Sequence, residues 1–382
     1  MEPFQPEPLP IASIQWEPLI PLLGQANRAL ARFDGVLQAL PNPDLLLTPL
    51  ATREAVLSSK IEGTQATIGE VLRFEGDGIA SDRERALDID EVLNYRRALK
   101  AVQADARQRP FGLNRLLELH GMLMASVRGS DKRPGRFRTT QNWIGPPGAE
   151  LAQAAFVPPS PLDLPIHMHA WERYFHADDR DVVVQLAVLH AQFEILHPFL
   201  DGNGRLGRLL IPVFLYERGV LTRPAFYLSA WLETHRDEYY RHLRALGREP
   251  QAWNAWCVFF LKGVIEQAEE NGRRARQALE LYNTLKQRII ARTNSQFAVP
   301  LLDFMFARPV FRSTDIQWQG PFPSRPTLAE LVRALRESGD LLLLVPGSGQ
   351  RPAVYALAEL VNLAEGKEVI RRRMPGDPPF AG

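Results

Sequence analysis

The sequence predicts a mainly α-helical fold with a small α+β region toward its C-terminal end. Apolar residues recur every three or four positions in long stretches between residues 23 and 292, which is the pattern of amphipathic helices. From about residue 295 the pattern changes to short helices followed by two apolar, β-prone runs. The 382 residues, of which 45% are hydrophobic and 23% charged, suffice for about two or three domains with ordinary cores.

Composition and charge exclude several classes of protein. No apolar run approaches the roughly 20 residues that span a bilayer, so no membrane partner is expected. The opening "MEPFQPEPLP" lacks the basic start and apolar stretch of a secretory signal. The single cysteine, Cys257, excludes an intrachain disulfide and fits a cytoplasmic location. A formal net charge of +1 predicts no general affinity for nucleic acid.

The first part of the chain predicts an arm followed by helices. Prolines are frequent in the first 22 residues, which are expected to run over the surface. Thr48-Pro49 is a helix start, and this helix runs to Glu62. Thr67-Ile68-Gly69-Glu70 is a capping box that begins the next helix. Further helices are predicted at 83–107, 113–127, 165–177, 182–196 and 205–218, and across 229–292.

Two regions predict β-structure. Within residues 135–161, which are rich in glycine and proline, the short segments 142–144 and 155–157 are expected to pair as a hairpin. Farther along, a helix precedes the runs 341–345 and 353–357, which flank the turn-rich "PGSGQRP". The order of helix, helix and hairpin resembles a winged helix.

Winged helices bind DNA or dock proteins, and the sequence leaves both alternatives open. Arg333, Arg336 and Arg351 are the residues that would contact DNA phosphates.

The most informative stretch is residues 197–208, "HPFLDGNGRLGR", which lies between two predicted helices. Pro198 ends the first helix, because the residue before a proline is disfavoured in the α region. Gly202-Asn203-Gly204 permits a turn whose amides converge at the start of the second helix. Such a turn binds anions through unpaired N–H groups and the positive end of the helix dipole.

Four side chains of this stretch suit phosphate chemistry. Arg205 and Arg208 lie three residues apart, so both guanidinium groups can lean toward one anion. Asp201 suits Mg²⁺, which takes one or two carboxylates and completes its shell with water and phosphate oxygens. His197 is placed to act as a general base near neutral pH.

Each of these residues alone would fit an ordinary turn, but their conjunction favours a chemical role. A Walker-type phosphate loop ends in Gly-Lys-Ser/Thr, whereas this stretch reads Gly-Arg-Leu. A calcium loop would need Asp or Asn at alternate positions, and these are missing.

Residues 197–208 match in full the motif "HxFx(D/E)GNGRxxR", so the chain resembles the Fic family of AMP-transferring enzymes. The segments "RPGRFR", "QNWIG" and "FVPPSP" are similar to the stretch ahead of that motif. The resemblance implies a Fic-type helical core with a β-hairpin flap, an N-terminal helical region and a C-terminal winged-helix-like α+β domain.

The resemblance also implies roles for single residues. His197 would deprotonate a Ser, Thr or Tyr hydroxyl of a target protein, Asp201 would hold Mg²⁺ on ATP, and Phe199 would anchor the loop. The flap at 140–158 would hold a target segment as an added strand. The residues expected to bind ATP are Gly202, Asn203, Gly204, Arg205, Leu206, Gly207 and Arg208, with Tyr239 and Tyr240 near the adenine.

The stretch 57–63, "LSSKIEG", predicts an inhibitory device. A carboxylate in the last turn of a helix is opposed by the helix dipole, so the placement of Glu62 requires a compensating partner. Ser58, Glu62 and Gly63 resemble the family's inhibitory pattern "(S/T)xxxE(G/N)". By that resemblance Glu62 would pair with Arg208 and fill the space that the γ-phosphate needs.

The predicted organisation has five parts. These are an arm and helical region with the inhibitory helix at 1–110, a Fic catalytic core at 111–250, linking helices at 251–293, a winged-helix-like domain at 294–370 and a tail at 371–382.

The function implied by the resemblance is protein AMP transfer, inhibited by Glu62. Two alternatives stay open. The protein could be an enzyme that also or instead removes AMP, or a nucleotide-sensing regulator that binds DNA or a partner protein. Self-modification and a homodimer are further expectations. His120 and His190, in apolar helical runs, are expected to be core residues. The other candidate ligands, His167, His169 and His176, lack the cysteine or carboxylate that would complete a metal site.

Overall fold

The structure is a computed structural model that describes residues 2–105, 109–125, 131–145, 150–246, 248–249, 251–349 and 351–370. The predicted mainly α-helical fold is confirmed. The helices are α1 Ile20–Ala39, α2 Pro43–Leu46, α3 Thr48–Ile61, α4 Ile68–Asp77, α5 Arg83–Asp105, α6 Leu113–Leu123, α7 Leu164–His176, α8 Val182–Leu196, α9 Asn203–Glu217, α10 Ser229–Thr234, α11 Arg236–Leu246, α12 Ala252–Thr293, α13 Ala298–Ala307, α14 Arg325–Glu337 and α15 Ala358–Glu365. The strands are β1 Val310–Arg312, β2 Leu342–Val345 and β3 Val354–Ala356.

The chain forms two compact units, each assembled from separate stretches of sequence. The first unit comprises Met1–Ala39, Leu57–Thr64 and Asp90–Gly272. The second comprises Leu40–Val56, Gln65–Ile89 and Arg273–Gly382. The five successive segments expected from the sequence stay a prediction, and the predicted tail at 371–382 lies outside the described residues.

Helix α8 forms the centre of the first unit, where it packs against α1, α7, α9 and α11. Its sequence, "VVVQLAVLHAQFEIL", is apolar on every face, as is typical of a helix buried all round. Asp181 caps its start by accepting hydrogen bonds from the backbone N–H groups of Val183 and Val184. The C-terminal end of this buried helix therefore holds His197 at a fixed place.

The local predictions for the helices are largely confirmed. Thr67 Oγ1 accepts from Glu70 N at 3.2 Å, and Glu70 Oε2 accepts from Thr67 N at 2.8 Å, which completes the predicted capping box. Helix α9 begins two residues before its predicted start, because Gly202 adopts the left-handed conformation and lets Asn203 be helical. Helix α6 ends at Leu123, short of the predicted residue 127, and residues 126–130 lie outside the described part of the chain.

The predicted flap pairing is confirmed at one bridge in the first unit. Ile144 N donates to Phe156 O at 2.8 Å, and Phe156 N donates to Ile144 O at 3.1 Å. Residues 146–149 of the predicted hairpin lie outside the described residues. In the part of the chain that the structure describes, no helix has the length and apolar character needed to cross a membrane.

The second unit contains an antiparallel sheet with the strand order β1-β3-β2. Strands β2 and β3 lie within the two predicted β-prone runs, whereas β1 was not predicted, because its three residues are too few for an alternation signal. Helix α14 buries Leu331, Val332 and Leu335. The winged-helix resemblance of this region and its contact with DNA stay predictions.

Candidate active site

The loop of residues 197–208 connects α8 to α9 through two left-handed residues. His197 ends α8 with φ of 44° and ψ of 59°, and Pro198 prevents the helix from continuing. Gly202, with φ of 78°, precedes the first residue of α9. A Cβ at position 202 would lie 2.7 Å from the sulfur of Met124, so both conformation and space require glycine there.

Side chains brace this loop from within. Asn203 Oδ1 accepts from Phe199 N at 2.9 Å, and its Nδ2 donates to Phe199 O at 2.9 Å. The buried Phe199 ring stacks on His120 at a centroid distance of 3.7 Å. The contact of Asn203 with phosphate stays a prediction; its buried side chain holds the loop, so its backbone N–H is the group available to an anion.

His120 connects the loop to a preceding segment. Its Nδ1 accepts from Gly135 N at 2.8 Å, so the other ring nitrogen carries the proton and donates to Asp201 O at 3.0 Å. Burial lowers the pKa of His120 to about 4, which keeps the ring neutral and this tautomer intact. His120 is therefore the satisfied core histidine that we expected, and it also fixes the backbone beside Asp201.

Arg138 and Asn142 join the loop to the flap segment. Arg138 donates from Nε to His197 O at 2.9 Å and from Nη2 to Pro159 O at 2.5 Å. Asn142 Nδ2 donates to Phe199 O at 3.1 Å. Burial lowers the pKa of Arg138 to about 10, so it remains charged at neutral pH. The sequence does not reveal these roles of Arg138 and Asn142, because their partners are backbone carbonyls of distant residues.

His197 is partly buried, and its Nδ1 has no hydrogen-bond partner within the described ranges. Burial lowers the pKa of His197 to about 4, against the opposing effects of the Glu194 carbonyl and the Glu62 carboxylate. The imidazole is thus neutral at pH 7 and able to accept a proton.

Asp201 presents the exposed carboxylate of the loop. Its side chain is 45% exposed, and its Oδ1 accepts from Gly202 N at 2.6 Å. A single accessible carboxylate beside a helix N-terminus fits Mg²⁺ that is bound mainly by water and phosphate oxygens. Among the described residues, no cluster of three histidine, cysteine or acidic side chains could hold a metal by itself.

Arg205 is paired with an acid that the sequence analysis missed. Its Nη1 lies 2.9 Å from Glu91 Oε2, and its Nη2 lies 3.8 Å from Asp201 Oδ1. The side chains of Arg205 and Glu91 are 4% and 11% exposed. Glu91 lies on α5, more than 100 residues earlier, and nothing in its local sequence distinguishes it from the other acids of that helix.

Arg208 binds the end of α3. Its Nη2 lies 2.7 Å from Glu62 Oε1 and 2.8 Å from Ser58 O, while its Nε donates to Ser58 Oγ at 2.9 Å. Gly63 follows with φ of 106°, which ends the helix. The structure thus brings together the residues expected from the inhibitory pattern.

Electrostatics favour the charged form of Glu62. Burial raises the pKa of its carboxyl, but attraction and hydrogen bonding from Arg208, helped by Arg205 and His197, outweigh burial and hold the pKa below its ordinary value. The Glu62 side chain is 34% exposed, whereas that of Arg208 is 1% exposed.

The Glu62 carboxylate lies against the first turn of α9. A Cβ at Gly204 would overlap Glu62 Oε1 and would lie 3.0 Å from Arg208 Nη1. The dipole of α3 disfavours the Glu62 carboxylate at the C-terminal end of that helix, but the dipole of α9 favours it, because the carboxylate lies at the N-terminal end of α9. The protein's own carboxylate thus lies at the first turn of α9, next to Arg208, where the sequence analysis expects an anion to bind.

Other predicted ATP-contacting residues lie deeper. Leu206 is fully buried, and a Cβ at Gly207 would overlap Glu194. Tyr239 is buried and its hydroxyl lies 2.9 Å from His190 Nε2, whereas the Tyr240 hydroxyl donates to the backbone carbonyl of Ile61 at 3.4 Å. Tyr240 is only partly buried, so it is the better placed of the two tyrosines to contact a ligand.

Glu194 is a partly buried acid beside Gly207 that sequence reasoning missed. Its Oε1 has no hydrogen-bond partner in the described part of the protein. Burial raises the pKa of Glu194 to about 8, against attraction from Arg208 and with added repulsion from Glu62. Glu194 therefore remains largely protonated at neutral pH.

The fold and the loop define a helical protein that presents an unprotonated histidine, a carboxylate and a helix N-terminus at one place. Two family models match the chain: "Fic/DOC family N-terminal" matches residues 20–104, and "Fic/DOC family" matches residues 110–215. The chain belongs to the Fic/DOC family.

Curated relatives share part of the chain. "Protein adenylyltransferase Fic" of Drosophila virilis is 30% identical over 163 residues, which cover 42% of this chain and 31% of the relative. The protein of the same name from Drosophila grimshawi is 28% identical over 188 residues, covering 48% of this chain and 35% of the relative. The matched region thus spans about a third of the length of these relatives.

Solved structures share the fold. A Fic family protein from Desulfovibrio desulfuricans G20 is similar with a TM-score of 0.57 and 19% identity, covering 93% of this chain and 98% of that chain. A Fic domain containing signaling protein from Bacteroides thetaiotaomicron VPI-5482 has a TM-score of 0.52 and 18% identity, covering 66% and 97%.

Proposed function

We propose that this protein transfers AMP from ATP to a Ser, Thr or Tyr hydroxyl of a target protein. One observation carries the proposal. A single loop holds the neutral imidazole of His197, the exposed carboxylate of Asp201 and an anion site that Glu62 already fills. Membership of the Fic/DOC family and the adenylyltransferase name of the curated relatives support it.

In the proposed reaction His197 removes the proton from the target hydroxyl. The hydroxyl oxygen then attacks the α-phosphorus of ATP, a new P–O bond forms, and the bond to pyrophosphate breaks. The left-handed backbone of His197, bound at its carbonyl by Arg138, fixes the ring relative to the anion site. Positioning and charge stabilisation supply most of the acceleration in such chemistry.

Asp201 is the residue that would hold Mg²⁺, and the bound ion would neutralise phosphate charge. The N–H groups at the start of α9 would bind phosphate oxygens, and Arg208 would meet the terminal phosphate once Glu62 has left it. Tyr240 is the candidate for contact with the adenine. The flap would pair with an extended segment of the target.

Glu62 is proposed to inhibit the reaction, because its carboxylate and the terminal phosphate need the same arginine. Holding about 99% of molecules in the inhibited state requires about 2.7 kcal/mol, which is within the range of a charge-assisted, partly buried pair.

The test uses ATP labelled in its α-phosphate, a cell lysate as the source of targets, and the Glu62→Gly protein. We expect label to enter a lysate protein or the chain itself, and mass spectrometry to find AMP on a hydroxyl. The double variant Glu62→Gly, His197→Ala is the matched control, and γ-labelled ATP should transfer no label. Absence of labelling from α-labelled ATP would contradict the proposal. Release of AMP from a modified protein would instead support the alternative of AMP removal.

A further inference from the structure

The arm, residues 2–16, lies along the flap. Phe4 N donates to Val157 O at 3.0 Å, and the rings of Phe4 and Phe156 are 5.4 Å apart. Phe156 directs its backbone N–H and C=O toward Ile144. Ala155 N also donates to Ile144 O, at 2.8 Å, so the pairing is irregular at Ala155. Val157 O accepts instead from Phe4 N and lies on the side away from Ile144, as alternation along an extended segment requires. We call this side of residues 155–157 the outer edge of the flap.

The protein supplies a second donor to the outer edge. Arg248 Nη2 donates to Ala155 O at 3.1 Å. Two successive outward carbonyls, those of Ala155 and Val157, are therefore bound by groups from elsewhere in the same chain. An extended segment from another protein can pair here only after it displaces them.

Two further contacts guide the arm toward the flap. Gln192, on the helix that ends at the motif loop, donates from Nε2 to Glu7 O at 3.0 Å. Asn254 binds Gln15 in both directions: its Oδ1 accepts from Gln15 N at 2.9 Å, and its Nδ2 donates to Gln15 O at 2.6 Å. The arm thus follows a defined path to the outer edge.

Burial divides the arm into a fixed part and a separable part. Ile11 and Ile14 are buried in the core, whereas none of residues 2–10 is buried. Segments with few buried apolar contacts open at low free-energy cost. Residues 2–10 can therefore leave the outer edge while the arm stays attached at Ile11.

We propose that the outer edge is a docking edge for an extended, proline-flanked aromatic segment of the target, which the arm occupies until a target replaces it. This inference rests on the proposed function and names its partner more closely. The arm indicates the chemistry of the ligand: a backbone N–H meets Val157 O, an aromatic ring packs on Phe156, and prolines on both sides of Phe4 keep the backbone extended.

The experiment measures binding of a fluorescent peptide, EPFQPEPL, to the full chain by anisotropy. Wild type is compared with Phe4→Ala, which weakens the internal competitor, and with Gln5→Ala, an exposed matched control. We expect Phe4→Ala to bind the peptide about tenfold more tightly than wild type. This factor follows if the arm leaves the outer edge free in only about a tenth of wild-type molecules, because the apparent affinity is reduced by that fraction. Gln5→Ala should match wild type, and the peptide EPAQPEPL should not bind.

Peptide binding is read without catalysis, so it separates this inference from the proposed function. Equal affinity of wild type and Phe4→Ala, or no binding to either, would overturn the inference even if AMP transfer occurs. With an identified target, Phe4→Ala should lower KM and leave kcat unchanged. A raised KM would mean that the arm supports the flap, which is the opposite of competition.

Discussion

Arg205 and Arg208 lie one turn apart on α9, and each pairs with a glutamate, but the two acids differ in accessibility. Glu91 is 11% exposed in the middle of a helix, whereas Glu62 is 34% exposed just beyond the end of one. Both arginines are almost fully buried. We therefore propose that the pair at Arg205 is a permanent brace and that the pair at Arg208 can be exchanged for a ligand, because the acid is accessible only in the second pair.

The largest effect should come from His197, which belongs to neither ion pair. His197→Ala in the Glu62→Gly background should reduce AMP transfer by about 10²–10⁴-fold, because the general base is lost. The free energy of unfolding should change little, since His197 Nδ1 has no hydrogen-bond partner among the described residues. Initial rates with labelled ATP and a urea titration measure the two quantities. A rate that survives the substitution would exclude His197 as the base.

The next largest effect tests the permanent pair. Glu91→Ala should cost about 3–5 kcal/mol of unfolding free energy, because it removes the nearest carboxylate from a buried arginine. Urea denaturation followed by circular dichroism measures the loss. Glu91→Gln, which retains an acceptor, is the matched control and should lose less. A loss under about 1 kcal/mol would show that Glu91 does not brace Arg205.

The exchangeable pair should respond in the opposite way. Glu62→Ala should raise the rate of AMP transfer by up to about 100-fold, because the anion site and Arg208 become free for ATP. Stability should fall less than in the Glu91 variant, because Arg208 keeps the hydroxyl and the carbonyl of Ser58 as acceptors. Rates on an identified target and unfolding curves of both variants provide the comparison. An unchanged rate would remove the assignment of Glu62 as an inhibitor.

A smaller release is expected from Ser58→Ala. Arg208 would lose the hydroxyl acceptor at 2.9 Å but keep the Ser58 carbonyl and the Glu62 carboxylate. One hydrogen bond of this kind contributes about 1 kcal/mol, so the rate should rise about fivefold. Ser59→Ala, on the same turn, is the control and should leave the rate unchanged. Equal activation by both substitutions would point to a general loosening of α3.

The smallest effect concerns pH. The pKa of Glu62 is lowered, so its pairing with Arg208 is fully present above the ordinary carboxyl pKa and is lost only as pH falls through the lowered value. Glu194, with a pKa raised to about 8, ionises as pH rises through 8 and then repels Glu62. Inhibition, measured as the Glu62→Ala to wild-type rate ratio, should therefore be constant from pH 6 to 7 and fall a few-fold above pH 8. Glu194→Gln should remove this fall.

Local and contiguous features were predictable from the sequence. The helical class, the capping box at Thr67, the Ile144–Phe156 pairing and the motif loop all arise from neighbouring residues. The meeting of Glu62 with Arg208 was predictable only through the family resemblance. Glu91 and Arg138 were missed, because their partners are distant in sequence. Glu194 was missed because the burial that raises its pKa has no local signature in the sequence.

The arm has a consequence for how a target is selected. Because Ile11 anchors it, residues 2–10 form a ligand on a short tether, and such ligands act at an effective concentration of about millimolar. An abundant protein whose segment binds the outer edge weakly cannot displace the arm at that effective concentration, whereas a scarce protein whose segment binds tightly can. The tether would therefore set an affinity threshold, so that selectivity would depend on the fit of the target segment more than on its abundance.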